Sequence, residues 1–380
     1  MEPTEIPHSY VLADLFMTRP ILATLNLTAL RKNFSVARHH AGGAKLWAVI
    51  KANAYGHGLM RAALALDDLA DGYALLDIND AITLREAGFQ QPILLLEGFF
   101  SADELPLLAE YHLTPVLHTL EQVEMLLAAS LTSRLSVYLK LNTGMNRLGF
   151  SAEEFQPVVH ALIEASQGRG NIRTSVDSIT LMTHFAEAET GIAHQMMRFH
   201  EITHGCQRPF SLANSAALIR YPETRTGWAR PGIMLYGSSP YPEQESAAQL
   251  GLSPVMTLTS ELISIQSLKR GDRVGYGGLF TADKPMQIGV VACGYGDGYP
   301  RHAPTGTPIL VEGERTRTLG RVSMDMVMVD LEGIHNAGIG SPVVLWGDGL
   351  PVDDVATAAG TVSYELLCAL TQRVPVIEKN

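Results

Sequence analysis

The 380-residue sequence predicts an α/β protein, with an N-terminal (β/α)8 barrel followed by a mainly β domain. Three observations carry this. Eight apolar, strand-like runs alternate with segments of helical spacing over about 200 residues, and parallel strands need such helical crossovers. The turn after the first run is KANAYGHG, without the GxGxxG that a doubly wound nucleotide-binding sheet would carry there. After the polar, proline-bearing stretch YPEQESAAQL (241–250), the pattern becomes β-branched and alternating, broken by Gly, Pro and Asp turns.

The eight strand runs, in order, are KLWAVI (45–50), GYALLDI (72–78), PILLLEG (92–98), TPVLHT (114–119), LSVYLKL (135–141), SITLMTHF (178–185), FSLANS (210–215) and GIMLYG (232–237). Helical spacing is clearest in GLMRAALALDDLA, DAITLREAGF, SADELPLLAEYH, LEQVEMLLAAS, SAEEFQPVVHALIEAS and AHQMMRFHEITHG. Ser101 before Asp103 and Glu104 is a capping signal, and Ser151 with Glu154 reads as a capping box. In the second domain VMTLTSELISIQSL, MQIGVVAC, TPILVEG, TRTLGRVSMDMVMVDL and SPVVLWG read as strands, while VDDVATAAG and SYELLCALT read as helices. The expected division is an extension over 1–16 with a start at Met17, a barrel over 17–248 and a β domain over 249–380.

Composition bounds the function. Hydrophobic residues at 46% and charged residues at 18% describe a packed globular chain. A net charge of −11 argues against nucleic acid or an anionic membrane as partner. No apolar run approaches the ~20 residues that span a bilayer, and the first residues lack the basic start and apolar core of a signal peptide. Cys206, Cys293 and Cys368 show no CxxC spacing, which gives no metal site and fits a reducing, cytoplasmic setting.

In a (β/α)8 barrel the active site lies at the C-terminal ends of the strands. Lys51, Asn142, Arg147, His184, Asn214, Ser215 and Arg230 all fall there. Each alone has a plain explanation: a strand terminus, a surface cation, a core histidine, a helix cap. Their shared position does not. A partly desolvated lysine keeps a neutral fraction able to form a Schiff base. Ser215 opens a helix whose free N–H groups favour an anion, and Gly232 lets backbone approach closely at the usual phosphate corner. Lysine and phosphate corner together point to pyridoxal phosphate, with sugar-phosphate chemistry left open by spacing alone.

The motifs AVIKANAYGHG, KLNTGMNRLGF, THFAEAE, LANSAA, RPGIMLYG, VGYGG, GYGDGYPR, SMDM and SYELLCAL stand in this order from about Met17 to Val376. Together they resemble bacterial alanine racemase, a pyridoxal-phosphate enzyme that interconverts L- and D-alanine for peptidoglycan or in alanine catabolism. The resemblance implies that Lys51 holds the cofactor and serves one face of the substrate, while Tyr276 serves the other face from the partner subunit of a homodimer. It implies a phosphate shell of Tyr55, Ser215 (beside Asn214), Gly232, Ile233 and Tyr364. Arg230 would face the pyridine nitrogen, and His184 would link it towards the catalytic tyrosine. Arg147 would contact the cofactor phenolic oxygen and the substrate carboxylate, Met324 that carboxylate through its backbone, and Tyr295 would line the entrance. Lys140 matches a lysine carbamylated in many members; Asn142 stands where the family often has aspartate.

Three rival readings have discriminating features. A pyridoxal-phosphate carrier would lack the second domain that bears Tyr276 and Tyr295. A decarboxylase of related architecture would place a carboxylate where Arg230 stands. A broad-range racemase would typically carry an export signal. CGYGDGYP runs into prolines instead of opening a helix, so it is no dinucleotide loop. SMDMVMVD alternates as a strand whose methionines are core, Met324 excepted by family position.

Overall fold

The computed structural model describes residues 19–167 and 175–379, and the predicted extension over 1–16 lies outside them. Contacts divide the chain into two units. One comprises Thr24–Thr257, Trp346–Leu370 and the last residues from Glu378; the other comprises the described residues up to Ala23, Leu258–Leu345 and Thr371–Ile377.

Strand β1 (Leu22–Asn26) precedes the barrel. The barrel strands are β2 (Lys45–Val49), β3 (Gly72–Leu75), β4 (Ile93–Leu95), β5 (Leu113–Leu117), β6 (Leu135–Lys140), β7 (Val176–Met182), β8 (Phe210–Ser211) and β9 (Trp228–Ala229). They pair in parallel in the order β8-β7-β6-β5-β4-β3-β2-β9. Strands such as ILL of β4 are buried on both faces, as parallel strands under helices must be. Helices fill the crossovers. The capping box at the start of helix Ala152–Gln167 is formed, with Ser151 N–H on Glu154 Oε2 at 2.8 Å and Glu154 N–H on Ser151 Oγ at 3.2 Å. Ser101, by contrast, makes no side-chain cap.

The eighth strand differs from expectation. GIMLYG is not a strand: Ile233–Tyr236 is a 3-10 turn stopped at Gly237 (φ 83°), and Trp228–Ala229 supplies the barrel's last strand. The physical reason is that all four turn residues are buried, so the run shows no period, and periodicity cannot separate strand from buried turn. Trp228 instead stacks on Trp47 with ring centroids 4.1 Å apart, and a side chain at Gly72 would strike the Trp47 ring at 2.4 Å. Trp47 Nε1–H donates to the Tyr138 hydroxyl at 3.1 Å.

β8 and β9 form no ladder, so this seam is closed otherwise. Arg230 N–H donates to Ala213 O at 2.9 Å, and its guanidinium donates to Ser211 O and Oγ, to Leu212 O and across to Thr183 O after β7. One buried arginine thus staples the barrel shut.

The second unit is built on β10 (Met256–Leu268), the short β11 (Arg273–Val274) and β12 (Phe280–Thr281), β13 (Met286–Val291), β14 (Pro308–Val311), β15 (Glu314–Leu319), β16 (Val327–Asp330), β17 (Pro342–Trp346) and β18 (Val376–Lys379). Its main sheet runs β13-β16-β15-β14-β17-β10-β1-β18, with β10 also pairing antiparallel to β13. Val274, Ile288 and Leu319 form one of its apolar clusters. No described helix is long and apolar enough to cross a membrane.

Candidate active site

A cavity of about 870 Å³ in the barrel unit opens at the C-terminal ends of the strands. Lys51, Tyr55, Lys140, Arg147, His184, Asn214, Ser215, Arg230, Gly232, Ile233 and Tyr364 all line it. Every barrel-side residue singled out from sequence, Asn142 apart, is therefore in one place.

Lys51 leaves β2 directly into an unusual turn. Ala52, Asn53, Ala54 and Tyr55 all have φ of 52–53°, one turn of left-handed helix without a glycine. Such backbone costs about 1–2 kcal/mol per residue and persists only where its surroundings over-determine it. Here Ala54 N–H reaches Ile50 O at 2.9 Å, and Gly58 N–H reaches Asn53 O at 2.9 Å. Asn53 Oδ1 caps the following helix by accepting Leu59 N–H at 2.8 Å. Buried His57 contacts Ala54 O and Tyr55 O through Nδ1, and burial pushes its pKa down to about 4, so it stays neutral. The turn points Lys51 and Tyr55 into one cavity.

The anion corner follows from three backbone facts. Asn214 caps the helix Ser215–Arg220 by accepting Ala217 N–H at 3.0 Å. Ser215 Oγ accepts Gly232 N–H at 2.9 Å. A side chain at Gly232 would lie 2.7 Å from the Tyr55 hydroxyl, so only glycine leaves that hydroxyl open. Tyr364 reaches the same corner from a segment far along the chain. It sits on the helix Ser363–Cys368, which approaches so closely that a side chain at Gly56 would meet Leu367 O at 2.2 Å. The Tyr55 and Tyr364 rings are 5.9 Å apart.

The cavity is strongly cationic. Lys51, Lys140, Arg147 and Arg230 face only two carboxylates among the lining residues, Glu97 and Glu189. Burial, aided by Arg147, lowers the Lys51 pKa below its ordinary value. Burial with Arg230 and Arg147 pushes Lys140 down to about 8. Burial and the same cations hold His184 well below the usual imidazole range. Arg230 itself, with carbonyls and a hydroxyl as partners and no carboxylate, is lowered by burial to about 10. Asn142 spans the Arg147 loop, its Oδ1 accepting Gly144 N–H at 3.2 Å and Asn146 N–H at 3.0 Å.

These residues fit pyridoxal phosphate. The start of the Ser215 helix, the Ser215 side chain and two tyrosine hydroxyls suit a phosphate, and a lysine with lowered pKa suits an aldehyde. The Arg230 Nε–H is the one guanidinium donor not given to Ser211, Leu212 or Thr183. It suits a neutral ring nitrogen. Sequence reasoning missed Glu97, Glu189 and Cys368 as lining residues. The strand-end rule could have found Glu97, the last side chain of PILLLEG before its glycine; Cys368 had no local signal.

The other three predicted residues lie on the β unit. Tyr276 is 71% exposed in the loop between β11 and β12, pinned by Arg273 Nη2–H on Gly277 O at 2.8 Å. Tyr295 and Met324 are stapled together: Tyr295 N–H donates to Ser323 O at 3.0 Å and Gly296 N–H to Met324 O at 2.9 Å. Beneath them Asp297, its side chain fully buried, receives Arg19 and Arg373, each at 2.7 Å.

Residues 25–240 match the model of the alanine racemase N-terminal domain, and residues 255–378 match that of the alanine racemase C-terminal domain. An alanine racemase of Nitrosomonas eutropha is 54% identical over 95% of this chain and 99% of its own. A catabolic alanine racemase of Klebsiella aerogenes is 52% identical over the same shares. The crystal structure of the biosynthetic alanine racemase from Pseudomonas aeruginosa superposes with a TM-score of 0.89 at 44% identity, covering 96% of this chain and all of that one. With both domains matched in order and the cavity in place, the chain belongs to the alanine racemase family.

Proposed function

We propose that this chain interconverts L- and D-alanine in the cytoplasm, as a homodimer, by a two-base reaction with Lys51 on one face of the substrate α-carbon and Tyr276 of the second copy on the other. Pyridoxal phosphate, when bound, supplies the electron-withdrawing system that makes the α-hydrogen acidic. Racemisation must take a proton from one face and return one to the other, so two groups are needed, each protonated in turn. Lys51 suits the first task because burial and Arg147 favour its neutral amine. Tyr276 suits the second by its exposure on the β unit, where a partner's cavity could receive it.

The remaining roles are those that the resemblance to alanine racemases implies. Tyr55, Ser215, Gly232, Ile233 and Tyr364, with the Asn214-capped helix, hold the phosphate. Arg147 takes the substrate carboxylate, with Met324 N–H of the second copy beside it and Tyr295 of the second copy at the entrance. Arg230 donates to the ring nitrogen and so opposes its protonation, which disfavours transamination. His184, held neutral, links Arg230 towards the tyrosine. Lys140, with a pKa near 8 and cations around it, keeps enough free amine to add carbon dioxide with loss of a proton; the resulting carbamate would neutralise Arg147.

The observation that carries the reading is Lys51 at the mouth of a cationic cavity that holds every predicted barrel-side contact. Lys51→Ala and Tyr276→Phe each abolish racemisation, while Tyr276→Phe keeps the cofactor and still exchanges the α-hydrogen of one enantiomer in deuterated water. Mixing the two inactive variants restores about a quarter of wild-type activity, because half the dimers are mixed and one of their two sites is intact. Retained racemisation by Lys51→Ala without added amine, or no recovery on mixing, defeats this assignment.

A further inference from the structure

One buried carboxylate joins the chain leaving the anion corner to the helix that carries Tyr364. Asp353 Oδ2 accepts the Ser239 N–H at 3.0 Å, and its Oδ1 accepts the Ser238 hydroxyl at 2.5 Å. The Ser238 oxygen, having donated its proton to Asp353, accepts from the Ser363 hydroxyl 2.6 Å away. Donation therefore runs from Ser363 to Ser238 to Asp353. All four residues are buried, and no ion pair among the described residues joins Asp353 to a cation. A carboxylate so placed is costly. Burial accordingly pushes its pKa up against the pull of these hydrogen bonds.

The positions at the two ends of this relay explain what it holds. Ser238 and Ser239 come directly after the turn Ile233–Tyr236, which begins at Gly232. Ser363 is the first residue of the helix whose second residue is Tyr364. The far end of that six-residue helix is already set by the tight approach of Leu367 O to Gly56. Two fixed points orient a short helix. The relay supplies the second, next to the tyrosine.

We propose that Asp353 is a positioning residue for cofactor binding: through Ser238 and Ser363 it holds Tyr364 at the phosphate corner made by Tyr55, Ser215 and Gly232. This rests on the reading of Tyr364 as a phosphate contact. Asparagine in place of Asp353 keeps the size but presents an amide N–H to one of the two donors, so the relay loses a bond to a charged acceptor. Such a bond is worth roughly ten- to a hundredfold in an equilibrium.

The test uses holoenzyme of wild type, Asp353→Asn, Tyr364→Phe and the double variant. The readouts are the rate of pyridoxal phosphate release into an excess of cofactor-free trap protein and the phosphorus NMR resonance of the bound phosphate. Asp353→Asn is expected to release cofactor roughly ten- to a hundredfold faster and to move the resonance. Tyr364→Phe should do likewise, and the double variant should release no faster than the faster single. A purely structural role would lower the unfolding temperature while leaving release and resonance as in wild type, or would multiply the two release effects; either overturns the proposal. Should Asp353→Asn fail to fold, Ser363→Ala removes only the outer hydroxyl, and unchanged release there overturns it equally. If Tyr364→Phe leaves both readouts unchanged while Asp353→Asn alters them, the phosphate role of Tyr364 falls and the proposal with it. If Tyr364→Phe alters them and Asp353→Asn does not, only the proposal falls.

Discussion

Gly56→Ala is the sharpest test of how the barrel unit builds its anion corner. Gly56 has φ of 81°, and an added Cβ would lie 2.2 Å from Leu367 O, where contacts under 3.0 Å do not persist. The helix Ser363–Cys368 must therefore retreat by about 0.8 Å, carrying Tyr364 with it. Two penalties combine. Left-handed backbone at a residue with a side chain costs about 1–2 kcal/mol. A misplacement approaching 1 Å in a binding constellation weakens it by roughly ten- to a hundredfold. Gly360→Ala is the control, since Gly360 has φ of 72° with no atom within 4 Å of the added carbon. It should show the backbone cost alone, with cofactor affinity unchanged. The assay pairs the urea midpoint of each variant with a pyridoxal phosphate titration followed by visible absorbance. Wild-type cofactor affinity in Gly56→Ala, with a loss of stability no greater than in Gly360→Ala, would refute the claim that this contact positions the helix.

Other outcomes follow from the same geometry. Lys140 has its pKa lowered from 10.5 to about 8. Between those values the unfolded chain binds more protons than the folded one, so stability of the cofactor-free protein rises with pH there. Subtracting the urea midpoints of Lys140→Met from those of wild type isolates this contribution, and a difference that falls from pH 8 to 9.5 contradicts it. Ala52→Gly relieves one left-handed residue and should stabilise the chain by about 0.5–1 kcal/mol; a lower unfolding midpoint counts against strain in this turn. Asp297→Ala removes the carboxylate shared by Arg19 and Arg373 and should cost about 2–3 kcal/mol, read from chemical unfolding of the β unit. An unchanged transition would mean that the cluster adds nothing.

How much of this was legible beforehand depends on which contacts are local. Strand and helix order in the barrel followed from periodicity, and the capping box at Ser151 followed from a four-residue pattern. The rule that sites lie at strand ends was enough to gather Lys51, Arg147, His184, Ser215 and Arg230 from the sequence. The same rule applied to PILLLEG would have added Glu97. The eighth strand failed because GIMLYG is buried on every side, and a run without a polar face carries no period to read.

By itself, then, the sequence determined the alternation of strands and helices, the two-part organisation and the residue types at the barrel mouth. These are encoded within a few residues of where they act. Only the tertiary structure decided the rest. It closed the β8–β9 seam with the Arg230 guanidinium and wound Ala52–Tyr55 left-handed. It also brought Tyr364 to Tyr55 through Gly56, Leu367 and the Asp353 relay. Each of these depends on close packing between segments distant in the chain. Hydrophobic period records which face of an element is buried, but not what it is buried against.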